Sequence, residues 1–393
     1  MNLILFDDPL VRTALLPFTF TRPVADIRVG ILTIREKWER WLQTQASFQT
    51  VDYLQKKYPA RSGNSNLLIN GAVCPDENLV AAIRNMQPHT FLAQGTRLIA
   101  ALEPTEEMSA SNTIEYTGAI TVIDKTWKIF KENAAQLKLD FKHITAGRKS
   151  ASIDDKHTVI YGSPEDIFVE EGVYIRAAIL NAESGPIYLG KKSIVQEGAI
   201  IRGSFALCEG AHINMGAKIR GDVTVGPFSK VGGEVSTSVI FGYSNKAHDG
   251  FLGASVLGEW CNLGADTNTS NLKNNYDHVK LWDHTTQGYE PTGLQFCGLM
   301  MGDHSKCSIN TMFNTGTVVD VSSNVFGHGF PPNYVPSFGW GGASGFETYQ
   351  LNKALETAER VMARRNVTFS DVDKEILSHI FETSALSRRW EKK

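Results

Sequence analysis

Aliphatic residues recur at every sixth position through the middle of the chain: Leu189, Val195, Ile201, Leu207, Ile213, Ile219, Val225 and Val231. A small side chain stands four positions after most of them, at Ser193, Ala199, Ala211, Ala217 and Ser229, with Phe205 and Val223 as exceptions. One aliphatic and one small inward residue per hexapeptide, three hexapeptides to a triangular coil, is the pattern of a parallel β-helix. Gly190, Gly198, Gly210 and Gly216 fall where its corners need unusual backbone angles. The period shifts phase twice. It resumes two residues late as Val239, Asn245, Phe251, Leu257 and Leu263, and again as Met301, Cys307, Phe313, Val319 and Val325. Each shift predicts residues inserted at a corner, at Gly232-Gly233 and over about 266–295. Such loops are where a solenoid carries function.

The flanking segments read differently. Before residue 150, buried-strand runs at 3–6, 67–69 and 119–123 alternate with helical spacing at 31–42, 77–86 and 127–139, which predicts an α/β segment. After residue 345 the apolar stripe Leu351, Leu355, Ala358, Met362 predicts one helix. Ser370 with Asp373 forms a capping box ahead of a second, carrying Val372, Ile376, Ile380 and Phe381. Arg364-Arg365 and Arg388-Arg389 read as solvated charge. Glycine follows the same division, with six before residue 151, twenty-eight over 151–345 and none beyond. The expected domains are 1–155, 156–345 and 346–393.

A net charge of −3 with 42% hydrophobic residues describes a globular chain. It argues against a nucleic-acid partner recognised by bulk positive charge. No run approaches the roughly 20 apolar residues of a membrane span. The opening Met-Asn-Leu-Ile-Leu-Phe lacks the basic start of a signal peptide and reads as a strand. Five scattered cysteines without a C-x-x-C pair fit reduced thiols, and a cytoplasmic location is expected.

The residues after the first phase shift carry a more specific signal. Lys246-Ala247-His248-Asp249-Gly250-Phe251-Leu252-Gly253, then Leu257-Gly258 through Gly264-Ala265, then Asn271, resemble the acetyltransferase half of a bifunctional bacterial family. That family joins a glucosamine-1-phosphate N-acetyltransferase to an N-acetylglucosamine-1-phosphate uridylyltransferase. Gly233-Glu234-Val235, Gly302-Asp303-His304-Ser305-Lys306 and Thr311 through Thr317 extend the likeness toward a divergent branch named as sugar nucleotidyltransferases or glucose-1-phosphate thymidylyltransferases. The resemblance implies an α/β nucleotidyltransferase-like domain followed by a left-handed parallel β-helix and C-terminal helices. It also implies acetyl-CoA as co-substrate, a sugar phosphate and a nucleoside triphosphate as partners, and a homotrimer with the acyl site between subunits.

Acetyl transfer to an amine needs a base and donors for the oxyanion. Histidine suits the base because its ordinary pKa lies near ~6.5. The resemblance gives His248 that role and makes Asn271 a substrate ligand. Leu272 and Phe251 stand where the family has tyrosines. Arg220 matches a sugar-phosphate arginine, and an arginine fork suits a phosphate. Ser236 replaces a family lysine, so Arg220, Lys246 or Lys273 supplies the charge, with Glu234 beside them. Lys306, His304 and Asn314 are the candidate CoA ligands, with Thr315 continuing the same wall.

The first segment lacks the Gly-x-Gly-x-Arg loop of nucleotidyltransferases and has Asn70-Gly71 where a metal-binding Gly-Asp is usual. In its place stands a cationic cluster, Arg12, Arg22, Arg28 and Lys37, with Asp26. The fixed Thr21-Arg22-Pro23 segment is suited to phosphate binding. Asp7, Asp8 or Asp26 are candidate Mg²⁺ ligands, if nucleotidyl transfer occurs. Two other readings stand beside this one. A zinc lyase rests on the numerous histidines (His212, His248, His278, His284, His304, His328). A non-catalytic sugar-nucleotide-binding scaffold rests on the missing glycines.

Overall fold

The computed structural model describes residues 1–104 and 108–391. Contacts group the chain into two compact units. The first holds Met1–Leu15, Thr21–Ile27 and Leu32–Lys125; the second holds Leu16–Phe20, Arg28–Ile31 and Thr126–Lys393.

A six-stranded sheet organises the first unit. Asn2–Phe6, with Leu3, Ile4 and Leu5 buried, runs parallel to Ala46–Gln49 on one side and Asn66–Asn70 on the other. Arg97–Leu102, Thr90–Gln94 and Thr113–Glu115 complete it. The helix expected from residue 31 starts at Ile34, because Thr33 and Glu36 close a capping box there. Its Trp38 is fully buried and donates to the Val73 carbonyl. The strand expected at 119–123 shortens to Thr121–Val122, paired with Val73–Cys74.

The second unit is a parallel β-solenoid with three faces, one short strand per face per coil. One face runs from Ile167–Val169 to Tyr334–Val335, the next from Tyr174–Ile175 to Gly339–Gly342 and on to Gly345–Thr348. The third runs from Val159–Tyr161 to Phe251–Gly253 and is extended by the pair Asn268–Thr269 and Met312–Phe313. The sixfold aliphatic series lies inward as expected. Leu189, Leu207 and Val225 stack on one face, Val195, Ile213 and Val231 on the second, and all six are fully buried.

After Val231 the register departs from the expected one. The inward residues are Val235, Ile240, Lys246 and Leu252, while Val239, Asn245 and Phe251 are their outward neighbours. The first shift is therefore a loss of residues at three corners, after Val231, Val235 and Leu252, and not an insertion. The step of four from Val231 to Val235 passes through the side-chain-free Gly232-Gly233 pair, which permits a tighter turn, and two further steps are of five residues. From Leu257 onward the expected series holds, with Met301, Cys307 and Val319 stacked beneath it. The second shift is a true insertion that begins later than residue 266. Asn268–Thr269 still pairs with the next coil, and the extra chain carries an antiparallel hairpin, Lys280–Asp283 with Gly288–Pro291.

The helix expected at 127–139 forms as Lys128–Lys131 and Asn133–Thr145 and packs on the solenoid. Gly30, at φ +80°, approaches it closely. Its amide donates to Asn133 at 2.7 Å, its carbonyl accepts from Thr224, and a Cβ there would lie 2.5 Å from Asp140.

Leu351–Ala363 and Asp371–Thr383 form at the chain end, the second on the expected Ser370–Asp373 capping box. Arg365 donates to Asn245 on the solenoid. Arg388 is not solvated: it is 2% exposed, bonded to Glu391, Ser384 and the Phe381 carbonyl, with its guanidinium 4.4 Å from the Phe381 ring. An arginine stem and planar head bury readily when every donor finds an acceptor, and charge spacing in the sequence does not record that. All five cysteines are buried, and none is in a disulfide. Among the described residues, no helix is long and apolar enough to cross a membrane.

The observed register predicts that Leu252→Ala costs about 2–5 kcal/mol of stability, while Phe251→Ala stays within about 1 kcal/mol. Chemical denaturation followed by circular dichroism measures both. The reverse order would restore the six-residue register.

Candidate functional site

His248 is exposed on a corner of the solenoid between the second and third faces. The corner is rigid because backbone packs on backbone above and below it. A Cβ at Gly232 would come 2.3 Å from the Ala247 carbonyl, and one at Gly233 2.9 Å from that of His248. On the other side a Cβ at Gly250, φ +112°, would meet the Thr267 carbonyl at 2.2 Å. Asn214 donates to Ala247, Asp266 donates to Asp249, and Phe251 donates to the side chain of Asn268.

Lys246 completes this turn from inside. It continues the inward column of Val195, Ile213 and Val231, is 2% exposed, and its ammonium donates to the His248 carbonyl at 2.6 Å and to that of Asp249 at 3.2 Å. Burial lowers its pKa from the usual lysine value to about 8, with Asp249 acting in the opposite sense. Its charge is committed to the backbone, so it positions His248 and does not face a substrate.

Arg220, Glu234 and Asn271 lie on the third face beside this corner. Arg220, largely exposed, pairs with Glu234 on the next coil at 3.2 Å, and Glu234 neighbours Phe251 on the coil after that. Phe251 and Asn271 share the surface over Gly253: a Cβ there would lie 2.5 Å from the Phe251 ring and 2.6 Å from the Asn271 amide nitrogen. Gly253 thus lets an aromatic ring and an amide lie close against the strand.

Lys273 and Asn314, expected in different roles, line one cleft of about 850 Å³ between the inserted hairpin and the solenoid. Lys273 donates to the His278 carbonyl and pairs with Asp277 at 3.7 Å. Lys280, Tyr289, Phe330 and Asn333 also line this cleft and are missing from the expected set. Lys280 and Tyr289 lie in the insertion, where the hydrophobic period stops and position within the loop was the signal; Phe330 and Asn333 follow the last repeat, where the sequence gives none.

His304 and Lys306 stand at another corner. The His304 ring stacks on Trp260, which stacks on Tyr243 and then Phe228, one aromatic per coil at the same left-handed position. Lys306 donates to the His304 carbonyl at 2.8 Å, and burial lowers its pKa to about 8. Within one chain the structure does not bring this pair to the His248 corner.

In the first unit Asp7, Arg12 and Arg22 converge at the carboxyl end of Asn2–Phe6, where the strand order reverses and α/β sheets bind ligands. Arg12 pairs with Asp7 at 3.0 Å and donates to the Arg22 carbonyl and to Tyr53. Asp7 also accepts from Val24 N and Thr50, and burial raises its pKa against the pull of Arg12. Asp8 caps the helix Pro9–Ala14. These carboxylates do not fit a Mg²⁺ ion, because protein donors already hold both oxygens of Asp7. The segment after Arg22 covers the strand ends: a Cβ at Gly71 would touch Ala25 at 3.2 Å. Asp26 pairs with Arg35 at 2.6 Å. Lys37 is buried in the helix Ile34–Leu42. Arg28 belongs to the second unit, where it donates to the Ile31 carbonyl beside Cys208. Among the described residues, no cluster of three or more His, Cys, Asp or Glu side chains is arranged to hold a metal ion.

Comparison with known proteins adds to this geometry. Residues 3–149 match the family model described as sugar nucleotidyl transferase. The bifunctional protein GlmU of Methanocaldococcus jannaschii is 33% identical over 91 residues, 23% of this chain. The chain spans about a fifth (21%) of the length of that curated relative. Among solved structures, the polySia specific acetyltransferase NeuO aligns at 13% identity with a TM-score of 0.29, covering 55% of this chain and 97% of its own.

Lys246 generates a pH prediction. Its folded-state pKa near 8 lies below the ordinary 10.5, so the unfolded chain binds more protons between those values and stability rises with pH there. The wild-type protein will gain on Lys246→Met as pH rises from about 8 to 10.5, by at most about 1.4 kcal/mol per unit. Parallel stability curves for the two, measured by denaturant titration, would show that the ammonium is not confined as described.

Proposed function

We propose that the solenoid transfers an acetyl group from acetyl-CoA to the amine of an amino-sugar 1-phosphate of the glucosamine-1-phosphate type. One observation carries this reading. An exposed histidine, within a Lys-Ala-His…Leu-Gly frame, is fixed on a rigid corner beside a face that carries Arg220, Glu234 and Asn271.

In this reading His248 accepts a proton from the acceptor ammonium. The freed amine attacks the thioester carbonyl, the new C–N bond forms, and the C–S bond breaks. The proton held by His248 passes to the departing CoA thiolate, and the nitrogen's second proton is released to solvent as the amide forms. Asn271 orients the acceptor by its side-chain amide. Arg220 supplies charge for the sugar phosphate, with Glu234 holding its guanidinium in place. Phe251, lacking a hydroxyl, offers an apolar surface to the sugar ring. Lys246 acts through the backbone by fixing the turn that aims His248. CoA contacts by His304 and Lys306 require a second copy of the chain, which accords with a homotrimer whose active sites are shared.

The family match over residues 3–149 favours a second activity: nucleotide binding by the first unit, with Arg22 as the phosphate ligand, Arg12 being held already by Asp7 and Tyr53. Sugar-nucleotide formation there would place both activities in sugar-nucleotide metabolism.

Removal of a general base costs roughly 10²–10⁴-fold. Thiol release from acetyl-CoA in the presence of glucosamine-1-phosphate is expected to fall by that factor in His248→Ala, with KM for acetyl-CoA little changed. An unchanged rate would move the base elsewhere. For the first unit, Arg22→Ala is expected to weaken UTP binding about tenfold by calorimetry. Equal affinity in the variant would make the cluster structural.

A further inference from the structure

We infer that the cleft between the inserted hairpin and the solenoid is a binding site for a nucleoside diphosphate sugar. The site goes beyond the acetyl-transfer reading and does not depend on it.

The cleft is preformed. The hairpin strand Lys280–Asp283 lies flat on the coil at Gly316, φ +66°, where a Cβ would come 2.4 Å from the Lys280 carbonyl. Trp282 stacks on Tyr334 at 4.1 Å between ring centres. His284 bonds the buried Asp320 at 3.1 Å, and the Tyr334 hydroxyl donates to the same carboxylate. A wall anchored at three points does not have to be ordered by its ligand, and preorganisation of this kind lowers the cost of binding.

Its chemistry selects an anion with flat and hydroxylated parts. Lys273 and Lys280 both face it, and among the described residues its lining carries no carboxylate. Asp277, outside the lining, pairs with Lys273 at 3.7 Å, so the positive charge of the cleft rests chiefly on the exposed Lys280. Asn314 uses its carbonyl oxygen to accept from Thr315 N, which leaves its amide hydrogens to donate. Asn333 uses its amide to donate to the Thr315 carbonyl, which leaves its oxygen to accept. One donor and one acceptor side by side match the imide edge of a pyrimidine or the hydroxyls of a sugar. Tyr289 is 45% exposed and Phe330 54%, so both rings leave surface open to a flat ligand in the cleft. The cleft's ~850 Å³ lies in the range of sites that enclose whole ligands. A diphosphate for the lysines, a base for the rings and a sugar for the amides together describe a nucleotide-linked sugar.

The test uses the full chain, with UDP-glucose, dTDP-glucose, UDP and inorganic phosphate as probes in calorimetry. Lys280→Glu and Tyr289→Ala change exposed side chains, and circular dichroism checks that both fold. UDP-glucose or dTDP-glucose is expected to bind the wild-type chain, with affinity falling about tenfold or more in each variant and weakening as salt rises. Three results would overturn the proposal. One is no binding of either nucleotide sugar. Another is phosphate binding as tight as UDP-glucose binding and indifferent to Tyr289→Ala. The third is nucleotide-sugar binding that survives Lys280→Glu but is lost in Arg22→Ala, which would assign it to the first unit. Because each readout is binding, failure here is separable from loss of acetyl transfer in His248→Ala.

Discussion

Backbone stacking at the strand spacing of ~4.8 Å governs the second unit. Once each coil lies in parallel register on the last, every residue has a fixed neighbour above and below. The size of a corner side chain then decides how the next coil passes. At Gly232-Gly233 two successive residues without Cβ let the 247–250 turn rest directly on the previous coil, and Gly250 repeats the arrangement one level up. The same contacts that shorten the corner also hold His248 still. The backbone position of the exposed His248 is set here by close-packed backbone.

Lys246 shows what that constraint demands of the interior. An inward position has to be filled, and a lysine fills it because its ammonium reaches the carbonyls of His248 and Asp249, the second of which it shares with the Asp266 amide. Burying an ammonium is costly unless its hydrogens are used. The two short bonds offset that cost, and the depressed pKa records what remains of it. The lysine that the sequence offered as a phosphate ligand is thus a tether for the turn that carries His248.

The insertion follows a different logic. It leaves the coil after Ser270, forms its own hairpin and returns to the next coil, fastened by Trp282 on Tyr334 and His284 on Asp320. Such a device adds a wall to an existing face without disturbing the register, since Thr269 and Phe313 still pair across it. In the first unit the crevice at the reversed strand order is covered by Val24 and Ala25, and Arg12 is satisfied by Asp7. The elements of a nucleotide-binding topology are there, but the chain's own turn lies over them.

Much of this was legible in the sequence. A six-residue period over eight repeats specifies a coil, because no other common fold repeats its inward position so regularly, and the series from Leu189 to Val231 stacks as read. Capping boxes at Thr33 and Ser370 belong to the same class of local signal. His248 stood out through the residues beside it. The sequence did not show that Gly232-Gly233 removes residues, since a shortened and a lengthened corner leave similar gaps in a hydrophobic series. Nor did it show that Arg388 is buried, or that Lys273 and Asn314 meet across an insertion. Periodicity reports which residues turn inward along one coil. What lies across a coil, or beneath a loop folded back upon it, depends on contacts between residues distant in sequence, and only the tertiary structure brings those together.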